Sequence, residues 1–133
     1  MTQPWLWGYS SRLSARPGER IGLHLAGTPA RCDVEVVRVG RQRTAVHRIP
    51  GVPLSPHPVP EGAHVVGCGW PEAAALTVGD WASGYHEILL RGPDGAEARH
   101  MLVVKAPRPA ARAVIVLATN TYHAYNWWGG ANT

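Results

Sequence analysis

Residues 113–118, reading Ala-Val-Ile-Val-Leu-Ala, restrict the fold more than any other part of this sequence. The run is too short for a stable helix and rich in β-branched side chains. It shows no alternation of polar and apolar positions, which is the pattern of a strand buried on both faces, as in a parallel sheet. A parallel strand needs a neighbour and a crossover of about a dozen residues or more. Only the stretch from Thr119 to Thr133 follows, so the run is expected to be the first strand of an α/β unit that this sequence does not complete. Its sequel, Thr119-Asn120-Thr121-Tyr122-His123-Ala124-Tyr125-Asn126-Trp127-Trp128-Gly129-Gly130, is polar and aromatic. In open α/β sheets ligands bind beyond the carboxyl ends of strands, so chemistry is to be sought in this loop.

The preceding hundred or so residues read differently. Glycine (15) and proline (12) are frequent and helix formers thin, so short strands separated by turns are expected. Trp5 to Tyr9 alternates large side chains and enters as a first strand, and Leu13 to Ala15 is a short edge piece. Arg16-Pro17-Gly18-Glu19 places Pro and Gly at the two central positions of a type II turn. Ile21, Leu23 and Leu25 then share one face of a half-buried strand, with His24 on the other, where a lone histidine is solvated unless a partner is found. Cys32, Val34 and Val36 point inward from the next strand and Asp33 and Glu35 outward, and the slip at Val36-Val37 marks a bulge.

A further strand is expected from Arg43 to Ile49, ended by Pro50, Pro53, Pro56, Pro58 and Pro60, which forbid regular structure. His47, His57 and His64 bracket this loop at a spacing too irregular for a metal cage. Strands then follow from Ala73 to Val78, from Tyr85 to Arg91 and from Ala98 to Lys105, the last two joined through the hairpin turn Pro93-Asp94-Gly95. The resulting fold class is mainly β: an immunoglobulin-like β-sandwich over residues 1–106, a stiff linker at 107–112 around Pro107-Arg108-Pro109, and over 113–133 the first strand and loop of an incomplete α/β domain.

Charge and cysteine content narrow the classes further. The net charge of +4 comes from 12 Arg and one Lys scattered among nine acids, with only Arg38, Arg41 and Arg43 close together. Phosphate binding at useful salt needs roughly six or more cations on one surface, so no nucleic-acid partner is expected. Cys32 and Cys68 lie 36 positions apart without metal or redox spacing and read as reduced, half-buried small hydrophobes, a bridge between two strands being the alternative. No segment is long and apolar enough to span a bilayer, and no basic, then apolar, leader opens the chain; a cytoplasmic location without membrane contact is expected.

With those segments placed, the chain resembles the N-terminal part of the N,N-dimethylformamidase large (beta) subunit-like family. The likeness rests on Gly8-Tyr9 through Arg16-Pro17-Gly18-Glu19, on Val34-Glu35-Val36-Val37-Arg38-Val39-Gly40, on Asp80-Trp81-Ala82-Ser83-Gly84-Tyr85, and above all on 119–130. The resemblance implies a hydrolase of small amides, an amidohydrolase built from a β-sandwich and a larger α/β domain, with a mononuclear iron held by tyrosines and a carboxylate. No Asp or Glu follows Glu97, so a later carboxylate ligand has no counterpart in this chain.

Carried onto this sequence, the resemblance makes Tyr125 and Tyr122 candidate iron ligands and His123 a candidate for acid-base work. Elementary chemistry agrees: a ferric ion favours hard oxygen donors such as a phenolate, and it acidifies a bound water for attack on a polarised amide. Tyr122 and Tyr125 are three positions apart, so one helical turn turns both to the same side. The expected partner is the missing C-terminal α/β domain or a companion chain, in an oligomer, and the chain alone is expected to be inactive. The competing reading is a non-catalytic sandwich that docks a partner, a glycan included, through the aromatic tail, since exposed Trp and Tyr make good interface anchors.

Overall fold

The computed structural model describes residues 3–124, and of His123 and Ala124 only the backbone. Two compact units are present, one comprising Met1–Pro56 with Trp70–Pro109 and the other His57–Gly69 with Ala110–Thr133.

The first unit holds all the strands: β1 Leu6–Ser10, β2 Ser14–Ala15, β3 Arg20–Gly27, β4 Arg31–Val39, β5 Arg43–Pro53, β6 Glu72–Thr77, β7 Gly84–Arg91 and β8 Glu97–Val104. They form a three-stranded sheet in the order β1-β3-β6 and a five-stranded sheet in the order β2-β8-β7-β4-β5. Pairing is antiparallel except for β2, which lies parallel to β8 at the edge (Ser14 opposite Val103, Ala15 opposite Val104). Both sheets feed one core, with Leu6, Ile21, Leu23, Leu25 and Leu76 from the smaller and Cys32, Val34, Val36, Ile88, Leu90 and Leu102 from the larger. The mainly-β reading therefore holds.

Local chemistry explains most boundaries. The Arg16–Glu19 turn closes as expected, Gly18 at φ 87° and the Glu19 N–H donating to Arg16 O at 3.1 Å. In β4 the register shifts between Val36 and Val37, as the broken alternation foretold, and again between Cys32 and Val34. The hairpin at Gly92–Ala96 also closes where its Pro-Asp-Gly sequence puts it, Gly92 N–H donating to Ala96 O at 2.8 Å.

Two expectations fail. β5 does not stop at Ile49 but runs through Pro50 to Pro53. It is an edge strand, where a missing N–H costs no ladder bond, and Pro50-Gly51 falls in the irregularity between the Cys32–Val52 and Val34–Ile49 pairs. Gly51 sits at φ 63°, and its N–H donates to Asp33 Oδ1 at 2.9 Å. The second failure is the strand over 113–118, which joins neither sheet; Val114, Ile115 and Val116 are 83–89% exposed. A β-branched run becomes a strand only when another strand satisfies its backbone, and the described residues offer it none.

Among the described residues the second unit contains two short helices, α1 Ala63–Val66, which begins after the last proline of the Pro50–Pro60 run, and α2 Thr119–Ala124. No helix among the described residues is long and apolar enough to cross a membrane.

Candidate functional site

The candidate residues fall on α2 and beyond it. The Tyr122 N–H donates to Ala118 O at 3.1 Å, so the segment after the apolar run winds into a helical turn. Tyr122 is 41% exposed on that turn. The backbone of His123 continues the helix. Tyr125, Trp127 and Trp128 lie outside the described residues, so the structure does not bring the predicted pair of phenols together or hold them apart.

The described donors are few. One phenol of the pair is described, and no group of three or more His, Cys, Asp or Glu gathers anywhere among the described residues. Any hard-donor set of the kind that binds ferric iron would need groups beyond these.

The histidines are placed by packing. His24, expected to be solvated, instead stacks on Tyr9 (ring centroids 4.9 Å apart, planes 10° from parallel), and its Nδ1 lies 2.8 Å from Trp70 O. The Trp70 N–H donates in turn to the Tyr9 hydroxyl at 3.1 Å, so His24 belongs to an aromatic cluster on the outer face of the small sheet. His47 joins no metal group with His57 and His64, and its ring lies 5.8 Å from Trp81.

Two histidines that the sequence reading passed over are buried. His100, 8% exposed, meets Ser10, whose Oγ is 2.7 Å from its Nε2 and donates to Arg12 O at 2.6 Å, tying β1 to β8. His86 is wholly buried, and its Nδ1–H donates to Gly84 O at 3.0 Å. The alternation in β7 and β8 carried the signal, since His86 shares a face with Ile88 and Leu90, and His100 with Leu102 and Val104.

Several arginines are engaged within the fold. Arg38 donates from Nε and Nη2 to Ser83 O at 3.2 and 3.0 Å, Arg43 pairs with Glu87 at 2.5 Å and Arg48 with Asp33 at 2.5 Å. The hydrogen bonds from Arg48 and the Gly51 N–H hold the Asp33 carboxyl below its usual range. Cys32 and Cys68 are free thiols, both buried, and burial pushes Cys32 up to about 11.

Against known proteins, the C-terminal domain described as "N,N-dimethylformamidase beta subunit-like, C-terminal" matches residues 33–133, from β4 through the polar-aromatic segment. The chain belongs to the N,N-dimethylformamidase beta subunit-like family. The match corrects the expected placement, because it is to the family's C-terminal domain and not to its N-terminal part. The earliest motifs, Gly8-Tyr9 and Arg16 to Glu19, lie outside it and describe a common strand and turn more than a family.

No curated protein matches the chain. Among solved structures, the sporulation control protein Spo0M from Bacillus subtilis is similar at 12% identity and a TM-score of 0.48, covering 80% of this chain and 51% of Spo0M. The chain thus spans about half the length of that protein. Superoxide reductase (neelaredoxin) from Ignicoccus hospitalis is similar at 14% identity and a TM-score of 0.40, over 76% of this chain and 80% of that one. Likenesses this distant carry no functional argument.

Proposed function

We propose that this polypeptide is one part of an amide-hydrolysing enzyme related to N,N-dimethylformamidase. In this reading its strands form an immunoglobulin-like sandwich, and the segment from residue 113 onward contributes to a catalytic centre completed by an α/β domain or a companion chain. The observation that carries the reading is the family match, which takes in that segment together with the strands from β4 on. Tyr122 and Tyr125 are the proposed iron donors and His123 the proposed acid-base group. The high exposure of Val114, Ile115 and Val116 favours a second reading, in which this region is an anchor for a partner without catalysis.

The test compares the chain alone with the complex it forms with any companion that co-purifies, measuring iron content and hydrolysis of N,N-dimethylformamide. The chain alone should be inactive, and the complex should hydrolyse the amide. In the complex, Tyr122→Phe with Tyr125→Phe should lower iron content, whereas His123→Ala should lower kcat by about 100-fold or more with iron retained. An iron-loaded, active 133-residue monomer overturns the shared centre. Full iron and activity in the double Phe variant overturn the tyrosine roles, and an inactive complex leaves the docking reading.

A further inference from the structure

His86 has a chemistry that neither the family match nor the proposed function uses. It faces inward from β7 with none of its surface exposed. Its two nitrogens are in different positions. Nδ1 lies 3.0 Å from Gly84 O, a pure acceptor, so Nδ1 carries the proton of the neutral ring. Nε2 is therefore a lone pair, buried, with no hydrogen-bond partner among the described residues.

The groups around the ring determine what a second proton would meet. From β4 the cross-strand neighbour is Arg38, a permanent cation whose guanidinium holds Ser83 O. From β8 the neighbour is Leu102, which is uncharged, with His100 lying opposite Ile88 one inward-facing pair further on. From the loop before β7 come the Trp81 ring, 6.0 Å from the imidazole, and Asp80, which is exposed. His47 of β5 packs against Trp81. Glu87, the adjacent acid, points to the other face and pairs with Arg43.

We propose that His86 is an acid-sensitive latch: protonation at Nε2 opens the end of the sandwich where Arg38, Ser83, Gly84 and Trp81 meet. The added N–H has no acceptor among its neighbours and the added charge lies beside Arg38, so the ring must reach water to keep its proton. Attraction to the face of Trp81 at this distance is too weak to offset loss of hydration. Burial is the main cause that holds the His86 imidazole below the usual histidine range; the Gly84 hydrogen bond opposes it, and the Arg38 charge adds a still smaller push in the same direction as burial. The sign follows. A folded-state value below the ordinary 6.5 means the unfolded chain binds more protons, so stability is present above 6.5 and falls as pH drops through that range.

Three measurements on the full chain test this. In a nitrogen-detected titration of the imidazoles from about pH 7.5 to about pH 5, His86 should be a neutral ring with its proton on Nδ1 and should stay neutral as the pH passes below the ordinary histidine value of 6.5. Amide exchange at Gly84 to His86 should rise as the pH falls. In urea unfolding, the difference between wild type and His86→Leu should move against the wild type over the same interval. A folded-state His86 titrating at or above 6.5, a neutral ring with its proton on Nε2, or parallel pH profiles for the two proteins overturns the latch. If His86→Leu does not fold, the titration and exchange of the wild type decide.

Discussion

Cys32 sits 1% exposed on the inner face of β4 opposite Val52, and its chemistry follows from that position. The thiolate, not the thiol, is the nucleophile, and a thiol pushed up to about 11 is almost wholly protonated at neutral pH. Native Cys32 should react with an aromatic disulfide reagent at about pH 8 at least ~100-fold more slowly than free cysteine, and reach the free rate in urea. Its folded value lies above the unfolded one, so its stabilising effect is complete below the unfolded value and is lost as pH rises towards 11. Fast native labelling at Cys32 would show that the β4–β5 edge opens. The inward side chains of β4 were legible from alternation alone, and the same alternation in β7 and β8 puts His86 and His100 at apolar positions, although neither histidine is singled out by its sequence context. The role of Asp33 was hidden for another reason. It faces outward as expected, but its carboxylate organises Arg48 and the Gly51 N–H through a bulge that sequence spacing does not reveal.

The turn at Arg16–Glu19 separates two kinds of glycine. A Cβ at Gly18 would meet nothing within 4 Å, yet the residue sits at φ 87°, so replacing it costs conformational energy alone. At Gly8, by contrast, a Cβ would fall 2.9 Å from Leu90 and 2.5 Å from Leu25 in the core. Gly18→Ala should lower stability in urea by about 1–2 kcal/mol with the slope unchanged; a neutral effect would mean the turn reaches its closure without the left-handed residue. Turns of this kind were legible because Pro and Gly act locally. The prolines of β5 were misread because tolerance of proline depends on being at a sheet edge, which is a property of the neighbours. The same reason accounts for 113–118, whose apolar, β-branched composition asks for a strand while the described residues supply no strand to pair with it.

At the scale of the whole chain, every residue of the shared core lies between Leu6 and Val104, all of them within the unit made of Met1–Pro56 and Trp70–Pro109. Both sheets and their hydrogen-bonded pairs fall in the same span. A chain cut after Pro109 should therefore fold, unfold cooperatively in urea and keep its midpoint within ~10% of the full chain, because none of the described residues it loses belongs to that core. What the cut removes is the exposed run Val114, Ile115, Val116 and Tyr122 on α2. If those groups anchor a partner or a catalytic half, the shortened two-sheet unit should be stable and unable to form the complex, and affinity should fall by more than the ~10-fold expected from trimming a rim contact. Retained binding would move the interface onto the two sheets and leave the apolar run without a role. A shortened chain that aggregates or unfolds broadly would instead show that the residues after Pro109 are needed to hold the two sheets together, against the independence of the core inferred from its membership.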